Sequence, residues 1–390
     1  MVGDIGHLSP AVVDLPAVLQ GFSILVGRAQ AHLVPFRWSG PGERIVGPMQ
    51  GVNRDAVSAW LTAHVDGAVA PFTFELIAGG HSNLTFAVTG ADGRRVVLRR
   101  PPLGHVLASA HDMGREHRII SALAGTKVPV APALGYCDDI EVNGAPFYVM
   151  GFVDAFVVRD QATARAVLEP AARRHAGESL AETLAAIHAV DPDAVGLGDL
   201  GRKEGYIERQ LKRWYSQFTQ SKTRELPAVD DVYRHLSARI PQQGAATIVH
   251  GDYRLDNCMV DAAGDVVAVL DWEICTLGDP MADVGLLKVY WSGPHDAVAG
   301  LAAPATAVEG FLDRDEVLAH YASASGRDLS HVDFYVAFAY WKLACIVEGV
   351  YARYLHGAMG ADKDPSAFDH FRLQVERSAE NAAALCAGIE

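Results

Sequence analysis

The sequence predicts an α+β protein in two lobes, a small five-stranded antiparallel sheet followed by a larger, mainly helical body. Three observations predict it. Short runs of strand composition crowd into residues 72–153, and amphipathic helical patterns fill nearly everything beyond about 155. A single short hairpin, at 258–270, interrupts those helices.

Residues 1–48 hold short apolar runs and Pro16, Pro35, Pro41 and Pro48, but no sustained period. They are expected to be a poorly structured N-terminal extension, as an upstream start codon would produce, or else a short docked arm. Met49 opens a clearer pattern, in which Asn53 or Asp55 can cap a helix running through Trp60 to Val65. The runs 72–78, 84–89 and 95–100 are rich in Phe, Val, Leu and Thr. Gly79–Gly80 and Asp92–Gly93 stand at their turns, and Asp-Gly suits a hairpin because both residues tolerate positive φ. A helix is expected over about 112–123, then two strands flanking an Asn143–Gly144 turn, the second from Pro146 to Val153. The small lobe is thus placed at 49–153 and the helical lobe at 154–390. Helices are expected at 161–175, 178–189, 206–219, 229–239, 280–291, 314–324, 331–356 and 366–386. The hairpin pairs Cys258–Val260 with Val266–Leu270 across Gly264–Asp265.

Half of the 390 residues are hydrophobic and 21% are charged, which suits a globular chain with a sizeable core. A net charge of −14 argues against a nucleic-acid partner, whose phosphates attract basic surfaces. The five cysteines, at 137, 258, 275, 345 and 386, form no C-x-x-C pair, so neither a disulfide framework nor a structural zinc site is indicated. A reducing, cytoplasmic location fits. No uninterrupted apolar run approaches the ~18–20 residues that span a bilayer, and no membrane partner is expected. The N-terminal apolar stretch lacks a preceding basic region and is broken by Asp14, unlike a signal peptide.

The chemistry concentrates in IVHGDYRLDNCMVDAAGDVVAVLDWE, residues 248–273. Phosphoryl transfer asks little of a protein: an aspartate to accept the acceptor hydroxyl's proton, an asparagine and a second aspartate for Mg²⁺, and a cation on the nucleotide phosphates. The spacing H-x-D-x-x-x-x-N, then a hairpin, then D supplies Asp252, Asn257 and Asp271 from one compact unit. A plain polar loop would also use Asp, Asn and Gly, but it would not explain the matching Asp271 at a strand end. A metallohydrolase with His250, Asp252 and Asp271 as ligands is a further reading, and it leaves the small lobe without a role.

This segment resembles the H-G-D-x-x-x-x-N and I-D-W motifs of the aminoglycoside phosphotransferase and choline kinase group. GDPMADVG, residues 278–285, is similar to that group's G-D-P-x-x-D. More narrowly, VLRRPP, REHRIISAL, HGDYRLDN and DWEICTLGDPMADVG resemble the phosphotransferases related to the kinase-like domain fused to some acyl-CoA dehydrogenases. The likeness covers roughly 50–385 and implies a protein-kinase-like bilobal fold. It implies a kinase moving the γ-phosphate of ATP, or of GTP, to a hydroxyl of a small molecule, with Asp252 as base and Asn257 and Asp271 on Mg²⁺. His250 is expected to bond backbone near the metal loop, and Asp279 and Asp283 to fix that loop by hydrogen bonds. Arg254, Asp256 and Glu273 are expected in solvated or capping roles.

The same resemblance assigns the small lobe. Gly79, Gly80, Ser82 and Asn83 would cover the phosphates, the glycines permitting close backbone approach. Arg99 would grip phosphate where most kinases have lysine, ion-paired to Glu116 on the next helix. Met150, Gly151, Phe152 and Val153 would form the hinge that meets adenine, although Met150 equally suits core packing. A catalytically dead nucleotide-binding module remains an alternative, though such proteins usually lack one of the three residues present here.

For the acceptor, charge is the available guide. Acidic and basic side chains nearly balance over 155–245 in an otherwise acidic chain. Within 202–224, Arg202, Lys203, Arg209, Lys212, Arg213, Lys222 and Arg224 outnumber Glu204 and Glu208. Ile207, Leu211, Trp214 and Phe218 fall on one helix face, which sets Arg209, Lys212 and Arg213 on the other. Such a surface is a solvated basic face or an anion site, and it suits a polycationic aminoglycoside poorly. A hydroxyacyl acceptor, as a coenzyme A thioester, is expected, with an aminoglycoside-type antibiotic kinase as the alternative.

Overall fold

Local sequence signals start most elements where the computed structural model has them; it describes residues 51–78, 83–103, 112–293, 304–356 and 368–389. The expected extension at 1–48 lies outside the described residues, as do Gly79, Gly80 and Ser82. Helix α1 (Arg54–His64) begins because the Asn53 side chain accepts the Ala56 N–H at 3.4 Å. Strands β1 (Thr73–Ala78), β2 (Leu84–Thr89) and β3 (Arg95–Arg100) follow, then α2 (Met113–Leu123), capped by Asp112. Next come β4 (Ala133–Cys137), the one-turn α3 (Ile140–Asn143) and β5 (Phe147–Gly151). The antiparallel sheet runs β1-β2-β3-β5-β4, which puts β3 at its centre.

Two details of the small lobe differ from expectation. Asn143–Gly144 is no strand-to-strand turn: Gly144, at φ 71°, ends α3 in the left-handed conformation a glycine adopts without strain. The fifth strand stops at Gly151 rather than Val153, and the Gly151 N–H donates to Pro132 O at 2.8 Å.

The period-two geometry of β5 sorts its side chains. Phe147 and Val149 join Phe86, Leu98, Val57 and Leu61 in the small lobe's own core. Tyr148 and Met150 point the other way, with Ile119, Ile120 and Leu123 of α2, into the large lobe's core. Helix α2 therefore buries its apolar face against the large lobe, and Arg115 fastens it there by donating to Leu200 O and Cys275 O, at 3.1 and 2.6 Å.

Beyond β5 the chain forms β6 (Phe156–Val157), α4 (Gln161–Val167), α5 (Pro170–Ala189), α6 (Tyr206–Ser221) and α7 (Pro227–Ser237). Then come β7 (Thr247–Val249), β8 (Cys258–Val260), β9 (Val266–Val269), β10 (Thr276–Gly278) and α8 (Met281–Tyr290). Helices α9 (Arg314–Ser325), α10 (Val332–Leu355) and α11 (Asp369–Cys386) complete the order. The helix break expected between 175 and 178 falls at Leu168–Glu169 instead, where Pro170 starts α5. Gly177 continues the helix because a side chain there would press within 3.1 Å of Leu312. As expected, α6 buries Ile207, Leu211, Trp214 and Phe218.

The site is framed by two small sheets, in which β6 pairs with β8 and β8 with β9, while β7 pairs with β10. Among the described residues, α10 alone is long and apolar enough to cross a membrane, yet 94% of its apolar window is buried inside the fold. Its charges Lys342 and Glu348 are buried too.

Candidate active site

The loop between β7 and β8 is held from behind. Asp283, in the first turn of α8, accepts the backbone N–H of His250 at 2.7 Å and of Gly251 at 2.8 Å. The His188 ring meets Asp283 at 3.3 Å and the Tyr321 hydroxyl at 2.8 Å, all three buried. Asp279 departs from expectation: its side chain accepts the Tyr335 hydroxyl at 2.7 Å and the Met281 N–H at 3.0 Å, which ties the start of α8 to α10 rather than holding the loop itself. Gly251 turns the chain at φ 87°, where a side chain would strain the backbone and press on Ile274. The His250 Nε2 bonds Leu270 O at 2.9 Å, and its ring packs against Trp272 at 4.8 Å. His250 thus has the backbone-bonding role its position suggested.

Asp252 is buried, and burial raises its carboxyl pKa above the ordinary range while Arg254 pulls it back down. Asn257 Nδ2 donates to Asp252 O at 2.8 Å and to Oδ2 at 2.9 Å, bonds that do not use Asn257 Oδ1. Asp252 Oδ1 is buried without a hydrogen bond, although Arg254 Nε lies 3.3 Å away. The Leu270 N–H donates to Asn257 O at 2.8 Å, so the residue before Asp271 is tied to Asn257. Asp271 follows at φ 65°, ψ 59°, the one non-glycine with positive φ among the described residues. Backbone strain of this kind gathers at functional sites.

From the other lobe, Arg99 reaches across the cleft. Its Nη2 lies 2.7 Å from Asp271 Oδ1 and its Nε 3.0 Å from Glu116 Oε2. The expected Arg99–Glu116 pair is present. Glu116 also accepts the Tyr148 hydroxyl at 2.9 Å and Asn83 Nδ2 at 3.1 Å. Asn83 Nδ2 lies 3.3 Å from Glu273 Oε2 as well, while Asn83 Oδ1 is buried without a partner. Burial first, then the Asp271 charge, pushes the Glu273 carboxyl up to about 9.

Arg254 and Glu273 depart from expectation, because neither is a solvated loop charge. Arg254 is 7% exposed, packs 5.2 Å from the Tyr290 ring centroid, and is clasped by Asp252 and, at 2.8 Å, by Asp256. Nothing in the local sequence reveals this, since Tyr290 comes from the far end of α8. Tyr148 was missed as well, although strand alternation puts it on the Met150 face. At the hinge, Met150 is half-buried, the Gly151 N–H is engaged by Pro132 O, and Phe152 lies 3.8 Å beneath the Arg95 guanidinium. Val153 follows, half-buried, outside the sheet.

Asn257 Oδ1 and the Asp271 carboxylate are hard oxygen donors of the kind Mg²⁺ takes, and Mg²⁺ completes its shell from phosphates and water. They fit that ion. Among the described residues no three His, Cys, Asp or Glu side chains converge as a self-sufficient metal site. The His250 ring faces Leu270 O, so the hydrolase reading has no geometry behind it.

Comparison with known proteins shows the family and the fold. A family model described as "Phosphotransferase enzyme family" matches residues 73–326. Acyl-CoA dehydrogenase family member 10 of Mus musculus is 34% identical over 83% of this chain and 30% of its own length. Acyl-CoA dehydrogenase family member 11 of Homo sapiens is 30% identical over 80% of this chain and 40% of its own. The chain thus spans well under half the length of these relatives. A crystal structure provisionally named an aminoglycoside phosphotransferase, from Ralstonia eutropha JMP134, is 35% identical with a TM-score of 0.73, covering 86% of this chain and 98% of that one. The GDP complex of aminoglycoside 2'-phosphotransferase-IIIa, at 12% identity and TM-score 0.56, shares the fold across 84% of this chain and 99% of that one.

Proposed function

Because the chain belongs to the phosphotransferase enzyme family, a membership that rests on the match over 73–326, we propose that it transfers the γ-phosphoryl group of ATP, or of GTP, to a hydroxyl of a small molecule. The observation that carries the reading is the Asp252 Oδ1, a buried carboxylate oxygen left without a hydrogen bond beside Asn257. An acceptor hydroxyl donating to that oxygen satisfies it and aligns the attacking oxygen, with Asp252 as base. Asn257 Oδ1 and Asp271 would hold Mg²⁺, which would supply positive charge against the charge of the nucleotide phosphates. Arg99, steadied by Glu116, would take the nucleotide phosphates under Gly79, Gly80, Ser82 and Asn83, and the Met150–Val153 hinge would take the base.

Asp252→Asn tests this directly. Turnover should fall roughly 10²–10⁴-fold while Mg·ATP affinity, by titration calorimetry, stays near wild type, since Asp252 acts on the acceptor. A variant that keeps most of its activity removes Asp252 as the base.

For the acceptor, a hydroxyacyl metabolite, free or as a coenzyme A thioester, is the reading the relatives named as acyl-CoA dehydrogenases favour. The basic segment supports it less than its composition suggests. Lys203, Lys212, Lys222 and Arg224 are paired with Asp193, Glu208, Glu225 and Glu348, and Arg209 Nη2 donates to Arg202 O at 2.6 Å, so much of the segment's charge is engaged within the protein. An aminoglycoside-type acceptor is the second reading, favoured by the name of the Ralstonia structure. Side-by-side assays with hydroxyacyl thioesters and kanamycin-like sugars separate the two.

A further inference from the structure

The catalytic loop sorts its side chains by alternation. Tyr253 and Leu255 enter the large lobe's core, where the Tyr253 hydroxyl donates to Leu180 O at 2.8 Å. Asp252, Arg254 and Asp256, the residues that alternate with them, contact one another instead. Those contacts are unequal. Arg254 Nη1 lies 2.8 Å from Asp256 Oδ2, and the Tyr290 ring of α8 lies 5.2 Å from the guanidinium. The Asn257 N–H donates to Arg254 O at 3.0 Å, so the main chain of Arg254 is fixed as well. Arg254 is therefore held independently of Asp252. Its Nε donates to Asp252 Oδ2 at 3.4 Å, and Asn257 Nδ2 donates to the same oxygen at 2.9 Å. Asp252 Oδ1 lies 3.3 Å from that Nε but accepts no hydrogen bond. Two donors on one oxygen resist rotation of the carboxylate and leave the lone pairs of the other oxygen free. A buried ion pair adds little net stability once desolvation is counted, so stability is a poor account of an arginine beside the base.

We propose that Arg254 is the positioning residue of the base: held by Asp256 and the Tyr290 ring, it fixes the Asp252 carboxylate through Oδ2 so that Oδ1 faces the acceptor hydroxyl. The proposal rests on the reading of Asp252 as the base of hydroxyl phosphorylation. Arg254 acts on the reaction only through Asp252.

The test is a double-mutant cycle on nucleoside diphosphate release from Mg·ATP and Mg·GTP, with water and with a hydroxyacyl coenzyme A thioester as acceptors. Arg254→Met should lower kcat about 100-fold, the scale of a misplaced reacting group, with the acceptor's KM and the nucleotide affinity near wild type. Arg254→Lys should recover part of the loss, since an ammonium keeps the charge without the planar fork. In the Asp252→Asn background, Arg254→Met should change the residual rate by less than about threefold, because no base is left to align. Asp256→Asn, at a partly exposed residue, should lower kcat in the same background-dependent way and carries the test should Arg254→Met fail to fold. Equal losses in both backgrounds, or no loss in either, overturn the positioning role while leaving Asp252 as the base. A crystal structure of Arg254→Met should show the Asp252 carboxylate turned from its present orientation, and an unturned carboxylate overturns the proposal too. Wild-type rates in Asp252→Asn, or no diphosphate release by wild type with either acceptor, remove the base reading and the positioning role together.

Discussion

At the scale of the residue, the site depends on groups held where they would not otherwise rest. Asp271 is kept at positive φ, a conformation that costs an ordinary residue about 1–3 kcal/mol and aspartate somewhat less. Asp271→Ala should weaken Mg·ATP binding at least about tenfold by calorimetry, because Mg²⁺ links the protein's carboxylate to phosphate oxygens. Unchanged affinity would remove Asp271 as a ligand. His188 lies one layer behind. Burial first lowers its imidazole pKa below the ordinary value, against the pull of Asp283. Below about pH 6.5 the unfolded chain therefore binds a proton here that the folded chain resists. The stability contributed at this position is present above that pH and is lost as pH falls. His188→Gln should flatten the pH dependence of the urea midpoint between about pH 5 and 7, and an unaltered slope would exonerate the histidine.

At the scale of the element, legibility in the sequence followed locality. The loop from His250 to Asn257 and the hairpin after it were readable because their spacing and turn residues are contiguous. Strands β6, β7 and β10 were not: each is two or three residues long and exists through a partner far along the chain, as Thr276 pairs with Val249. Arg254 was misjudged for a similar reason, since α8 supplies the ring that covers it. The α5 boundary shows local rules competing, with Pro170 as the true start and Gly177 a packing choice inside the helix. Lys342 and Glu348 could have been noticed as charges within the apolar run of α10, whose hydrophobicity on all sides announces burial. Glu348 gives this scale its prediction. Glu348→Ala takes the acceptor from the Thr223 amide and hydroxyl and leaves Arg224 to Arg372 O and Glu376, and should cost roughly 2 kcal/mol in urea unfolding. A loss under about 1 kcal/mol would show that water replaces the carboxylate.

At the scale of the whole molecule, the division at 153 proposed from sequence cuts through a shared core. The inward face of α2, with Tyr148 and Met150, belongs to the large lobe's cluster, so residues 49–153 alone would expose it. That fragment is expected to aggregate or stay partly unfolded, as dichroism and sedimentation would report. A soluble, cooperatively folding fragment would contradict this. The Arg99–Asp271 contact carries the same dependence into the chain's synthesis. Its partners are 172 residues apart, so at roughly 5–20 residues per second the first waits on the order of ten to thirty seconds for the second to leave the ribosome. For that interval the apolar face of α2 has only part of its final cover, since Trp272, Cys275 and Leu277 of the same cluster follow Asp271 in the chain, and the nascent small lobe is expected to need chaperones until they emerge.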